Sequence, residues 1–181
     1  GSCFPKDTRA VSQIAHDQGM TFRIIDAVLD ANEATKRRMV DKVTHAVGGV
    51  EGKTLAILGL SFKPDTDDIR ESPAMEIAEA LIERGATLRC FDPEAMEEAA
   101  EELDATFCDN AYEAADGAEA LVILTEWNQF RKLELDTLKE RLARPLIVDL
   151  RNIYEPKKIE EAGFRYVSVG RREYGGEAEG A

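Results

Sequence analysis

The chain has 181 residues and a formal net charge of −13, from 36 Asp and Glu against 23 Lys and Arg. Nucleic acid and anionic membrane surfaces are excluded as partners, because both would be repelled by such a balance. A hydrophobic content of 44% is enough for one ordinary core with an appendage, and the acids fall in helical runs such as Glu97-Glu98 and Glu101-Glu102, where they read as solvated surface.

The chain opens Gly1-Ser-Cys-Phe-Pro-Lys-Asp-Thr-Arg9. Pro5 suits a first helical position, since it has no N–H to leave unpaired and its φ is already helical. The spacing predicts a helix over 5–19, stopped at Gly19. Cys3 then sits just before a helix N-terminus, where the free N–H groups and dipole, with Lys6 and Arg9, stabilise a thiolate. Asp7 lies one turn further on and faces the same side. A nucleophilic sulfur beside a carboxylate able to orient water is the equipment of covalent catalysis followed by hydrolysis. A lone cysteine is also a small buried hydrophobe, and on local features both readings of Cys3 stand. A second helical pattern runs over 22–47 and is stopped by Gly48-Gly49. A long amphipathic helix outside a domain packs against another domain or another subunit.

After Glu51-Gly52-Lys53 short β-rich runs alternate with helical ones. Strands are predicted over 54–60, 88–92, 106–108, 120–125, 146–150 and 166–169, and helices near 73–84, 95–103, 110–117, 135–143 and 156–162. The apolar runs Leu121-Val-Ile-Leu124 and Leu146-Ile-Val148 suit central strands covered on both faces. The pattern gives an α/β fold: a long central helix followed by a Rossmann-like doubly wound parallel sheet of about six strands, ordered 3-2-1-4-5-6. The expected divisions are 1–50 for the cysteine segment and central helix, 51–170 for the α/β domain, and 171–181 for an aperiodic, disordered tail.

Ligands of such sheets bind beyond the carboxyl ends of the strands, near the switch between strands 1 and 4. The loop there is Gly59-Leu-Ser-Phe-Lys-Pro-Asp-Thr-Asp-Asp-Ile-Arg-Glu-Ser-Pro73, which is not GxGxxG. Its cations Lys63 and Arg70 suit phosphate or carboxylate ligands. On the residues alone, internal pairing with Asp65, Asp67, Asp68 and Glu71 is the simpler reading. Asp92, after strand 2, reads as a turn or cap residue, because no glycine fingerprint accompanies it. Trp127 reads as packing under a loop, and Arg151 as a candidate for the nucleotide or a subunit contact. His16 and His45 read as surface or packing residues. Three cysteines without CxxC spacing give neither a disulfide framework nor a metal site, and Cys90 and Cys108 read as core. With no apolar run near eighteen residues and no signal peptide, the segment is expected to avoid membranes and to be cytoplasmic.

Gly1-Ser-Cys-Phe-Pro-Lys-Asp-Thr8, Gly59–Pro73, Leu124-Thr-Glu-Trp-Asn128 and Val148-Asp-Leu-Arg-Asn-Ile-Tyr154 closely resemble the signatures of the UDP-glucose 6-dehydrogenase family. The resemblance runs from residue 1 to about Arg171. It implies oxidation of the C6 hydroxymethyl of UDP-glucose to UDP-glucuronate with two NAD⁺, through a thiohemiacetal and a thioester on Cys3. Asp7 is then implied in water activation or proton handling. Lys6 and Arg70 match NAD contacts and Lys63 a sugar-nucleotide contact, with Phe4 and Phe62 lining the substrate pocket. The family also carries an N-terminal NAD-binding domain, absent from this sequence, so the chain alone is expected to be inactive. A homodimer through 22–47 is expected. GDP-mannose and UDP-N-acetylhexosamine dehydrogenases share the architecture, but Phe4-Pro-Lys and Phe62-Lys-Pro-Asp-Thr favour UDP-glucose. A dimerisation and nucleotide-sugar-binding module without chemistry is the further alternative.

Overall fold

The computed structural model describes residues 3–175. Two helices come first, α1 (Cys3–Asp17) and α2 (Arg23–Val47). The domain follows as β1 (Thr54–Leu58), α3 (Pro73–Glu83), β2 (Thr87–Phe91), α4 (Met96–Glu102), β3 (Thr106–Phe107), α5 (Ala111–Ala115) and β4 (Ala120–Ile123). A 3₁₀ turn over Asn128–Lys132 precedes α6 (Leu135–Arg141), β5 (Leu146–Asp149), α7 (Pro156–Glu161) and β6 (Arg165–Ser168). The six strands lie in the order β3-β2-β1-β4-β5-β6, all parallel, as the alternation of strands and helices predicts.

Alternate residues of β1 serve opposite faces of the sheet, as the two-residue period of a strand requires. Leu55 and Ile57 join one core with Val43 and Val47 of α2 and Ile77, Ala78 and Leu81 of α3. Ala56 and Leu58 join the other with Ala114, Phe130, Leu138 and Ile159. Cys90 and Cys108, both buried, belong one to each core, so these two free thiols are core residues on opposite faces. The 3₁₀ turn escapes sequence reading because it is too short to show a period. It exists because fully buried Phe130 anchors it.

Helix α1 begins at Cys3, two residues earlier than expected, which puts Pro5 third in the helix rather than first. The first four N–H groups of a helix have no intrahelical partner, so proline is tolerated anywhere in that turn. The buried residues of α2, Val40, Val43, Ala46 and Val47, all lie in its last two turns, and Lys36 one turn earlier pairs with Glu76 of α3. Its C-terminus closes with Gly48 in the left-handed region, donating to the carbonyls of His45 and Thr44. Three cations from elsewhere cap the last carbonyls. Arg165 donates to Ala46 O at 2.8 Å, Arg144 to Val47 O at 3.1 Å, and Lys53 to Val47 O at 2.9 Å and Gly48 O at 3.1 Å. Positive charge at this end also complements the helix dipole.

The stretch 171–175, expected to be structureless, instead runs antiparallel to β6 through a bridge between Tyr166 and Tyr174. Arg165 pairs with Glu173 at 2.7 Å, and Arg172 stacks on the Tyr174 ring. A two-hydrogen-bond bridge is too short to leave a periodic signal. The rest of the expected tail, 176–181, lies outside the described residues, as do Gly1 and Ser2.

Candidate functional site

The site begins where β1 ends. Gly59 has φ +89°, and a Cβ there would lie 2.5 Å from Thr125 Cβ and 2.7 Å from Thr125 N. Only glycine permits both the left-handed backbone and the close approach of the chain after β4. The next two residues are strapped down. Asp92, following β2, accepts Leu60 N at 2.7 Å, Ser61 N at 3.0 Å and Ser61 Oγ at 3.0 Å on one carboxylate oxygen. Trp127 Nε1 reaches the same oxygen at 3.2 Å and Ser61 Oγ at 3.1 Å. The other oxygen accepts the N–H groups of Glu94 and Ala95, both at 3.0 Å, which is the turn-capping role expected of it. Thr125 Oγ1 donates to Ser61 O and Ser72 Oγ to Leu60 O, each at 2.7 Å. Ser72 also caps α3 by accepting Ala74 N, with Pro73 beginning the helix. All five side chains are buried, and Trp127 does pack beneath the loop.

Beyond this strap the loop turns outward. Lys63 is exposed, and among the described residues its ammonium has no ion-pair partner. Arg70, also exposed, forms a fork on Asp68, with Nε–Oδ1 at 2.8 Å and Nη2–Oδ2 at 3.0 Å. Internal pairing, the simpler reading of the loop's charges, therefore holds for Arg70 and not for Lys63. Phe62 is half-buried, and its N–H donates to Asp68 O at 2.8 Å, which closes the loop on itself.

Helix α1 is brought to the same edge by Arg9, which pairs with Glu71 at the loop's end. Arg9 thus ties the two segments together. Lys6, Asp7 and Phe4 are exposed, Phe4 to 69%. Cys3 starts α1, but its side chain lies outside the described residues. Between Arg9, the loop at 69–72, α3 and the end of α4 runs a groove of about 580 Å³, lined with Arg9, Arg70, Glu71, Glu76, Glu79 and Glu102.

A second pinned turn follows β5. Fully buried Asp149 accepts Arg151 N at 3.0 Å, Tyr154 N at 3.1 Å and Tyr166 OH at 2.7 Å. The buried phenol of Tyr166 is raised well above its ordinary pKa by burial and by its hydrogen bond to Asp149. Arg151 pairs with Glu126 from the loop after β4, and that hydrogen bond holds the Glu126 carboxyl below its ordinary value. Sequence reading missed Glu126 as the partner of Arg151, twenty-five residues away.

Chemically, the edge offers a solvent-facing cation, Lys63, on a rigid strap at the β1–β4 switch, suited to an anionic nucleotide. The sheet does not fit a dinucleotide. Its first loop has no GxGxxG, and the acid after β2, which would take a ribose hydroxyl, is consumed by six internal donors. No group of three or more His, Cys, Asp or Glu suited to a metal occurs among the described residues. Cys90 is equally unsuited to chemistry, since burial pushes its thiol up to about 12.

The fold and this edge define a nucleotide-binding domain of the doubly wound class. The family model for the UDP-binding domain of the UDP-glucose/GDP-mannose dehydrogenase family matches residues 56–156, and the chain belongs to that family. It is 47% identical over 173 residues to the UDP-glucose 6-dehydrogenase of Rhizobium meliloti, covering 94% of this chain and 40% of that relative. A UDP-glucose dehydrogenase structure from Pyrobaculum islandicum superposes with a TM-score of 0.78 at 36% identity, over 95% of this chain and 38% of that one. A GDP-mannose dehydrogenase from Pseudomonas aeruginosa superposes less closely, with a TM-score of 0.62 at 28% identity, over 82% of this chain and 35% of that one. The chain thus spans about 40% of the length of the curated relatives it matches.

Proposed function

We propose that this chain is the nucleotide-sugar-binding part of a UDP-glucose 6-dehydrogenase and does not turn over substrate by itself. The observation that carries the reading is the exposed Lys63 on its pinned strap, in a chain closely similar to named UDP-glucose 6-dehydrogenases. Lys63 holds the nucleotide-sugar, with Phe62 and Phe4 against the sugar and Arg151 near the nucleotide. Lys6 and Arg70 face the NAD that the rest of the protein holds. NAD⁺ supplies the hydride acceptor for both oxidations.

In the whole protein the Cys3 thiolate adds to the C6 aldehyde carbon and gives a thiohemiacetal. Loss of hydride from that carbon, with loss of its hydroxyl proton, leaves a thioester. Water, oriented by Asp7, attacks the carbonyl carbon, the C–S bond breaks, and the carboxylate leaves as UDP-glucuronate with the thiol restored. The two buried free thiols suit a reducing compartment, the cytoplasm. No helix among the described residues is long and apolar enough to cross a membrane.

The same chain forms a homodimer through α2. Over α1, the connection after it and the first half of α2, the apolar residues Val11, Ile14, Met20, Phe22, Ile24 and Val28 are exposed, while α1 buries Thr8 and Ser12 instead. A face so inverted requires cover.

Calorimetric titration with UDP-glucose, GDP-mannose and NAD⁺ tests the binding reading. Binding of UDP-glucose in preference to the other two supports it. Preference for GDP-mannose transfers the assignment to that substrate, and silence with all three refutes self-contained recognition by this chain.

A further inference from the structure

We propose that Asp92 is the positioning residue of the nucleotide-sugar site. With Ser61 and Trp127 it forms a buried clasp that fixes the 59–62 strap and thereby sets where Lys63 emerges; the inference rests on Lys63 as the ligand contact.

The clasp joins four segments that sequence keeps far apart: the strap, the turn after β2, the chain after β4, and the N-cap of α3. Both N–H groups of Leu60 and Ser61 point at Asp92, and both carbonyls are taken by hydroxyls, of Ser72 and Thr125 respectively. Every main-chain N–H and C=O of these two residues thus has a buried side-chain partner. Such closure serves no sheet pairing, because β1 has already ended at Leu58. What it does is remove the freedom of the two residues directly before Phe62 and Lys63. A cation at the end of an ordered strap loses less entropy on binding an anion than one on a mobile loop. The buried acid also changes what the sheet can accept. In a dinucleotide site the acid after the second strand faces a ribose hydroxyl; turned inward onto Ser61 and Trp127, it closes that subsite and favours the nucleoside diphosphate sugar that Lys63 addresses.

Asp92→Asn tests this in the intact chain. The amide keeps the shape but presents an N–H₂ group to donors, whichever way it is turned. Amide hydrogen exchange at Leu60 and Ser61 is expected to accelerate about a hundredfold, with the strands of the sheet unchanged. The emission of Trp127, the single tryptophan, is expected to shift to the red as its indole N–H is released to water. The Kd for UDP-glucose is expected to rise about tenfold. Because Asp92 acts through Lys63, Asp92→Asn should add little to Lys63→Ala in the double variant, whereas a merely structural loss would add in full. Ser61→Ala, which removes one donor and leaves the buried carboxylate satisfied by the others, serves if Asp92→Asn does not fold, and should show the same pattern more weakly. Unchanged exchange at residues 60 and 61, or additive losses of affinity, would overturn the clasp while leaving UDP-glucose recognition in place. Selective release of the strap in a chain whose wild type binds no UDP-glucose would instead refute the ligand reading, and with it the positioning role.

Discussion

The loop after β1 and the helical segment before it approach the same edge of the sheet, but they are held in opposite ways. The loop is fixed from inside: the hydrogen-bonding capacity of Leu60 and Ser61 is met by buried side chains of neighbouring loops, and Gly59 lies against Thr125. Among the described residues, helix α1 is tied by polar links, Arg9 to Glu71 and Glu33 and Ser12 and His16 to Asp26, while its apolar Val11 and Ile14 face solvent. A fully satisfied buried network specifies one geometry, whereas surface ion pairs specify very little. The nucleotide half of the site is thus built by the domain itself. On the proposed reading, the half that carries Cys3 is completed by whatever covers α1 and the first half of α2.

The largest effect expected within this contrast is that of Gly59→Ala. It forces a left-handed alanine into Thr125 and should cost about 3–4 kcal/mol in denaturant unfolding. A loss below 1 kcal/mol would show that the strap is not rigid. Ile57→Ala, two residues earlier and fully buried, should cost about 3 kcal/mol by leaving a cavity. On the other side of the comparison, Ile24→Ser and Val28→Ser are each expected to change the unfolding free energy by no more than about 0.5 kcal/mol. Together they should move the sedimenting species from dimer to monomer. A wild-type chain that sediments as a monomer at tens of micromolar would remove the dimer reading.

Two smaller, pH-dependent effects separate the regions further. The Cys90 thiol, ordinarily near 9.0, is held at about 12 by burial and by the neighbouring Cys108. A pKa raised in the folded state gives stability that is present below the unfolded value and lost as pH rises. Unfolding titrations should therefore show stability falling between about pH 9 and 12, and Cys90→Ala should flatten that fall. Alkylation at pH 8 should accordingly find one fast thiol, Cys3, with Cys90 and Cys108 reacting only on unfolding. Smallest is the Glu126–Arg151 pair. Its lowered carboxyl gives stability present above the ordinary value of 4.5 and lost as pH falls through the folded one. Because both partners are about a third exposed or more, Glu126→Gln should remove no more than about 0.5 kcal/mol at neutral pH.

Much of this architecture is legible in the chain. The alternation of strand and helix patterns after Gly52 determines the sheet and its order, since right-handed crossovers leave few arrangements of six parallel strands. Continuous apolar runs mark β4 and β5 as central, Gly48-Gly49 ends α2, and the absence of GxGxxG already shows that the first loop lacks the usual pyrophosphate turn. These features are local, or they repeat at a fixed period, so a sequence displays them. What only the tertiary structure decided is which charges and hydroxyls meet. Arg144 and Arg165 cap α2 from 97 and 119 residues away. Asp92 gathers Ser61 and Trp127 from 31 and 35 residues on either side. Of the two loop cations, the fold pairs Arg70 with Asp68 and turns Lys63 out to solvent. Polar partners have no period along the chain. Their meeting depends on where the ends of separate strands fall, and that is fixed only when the sheet has closed.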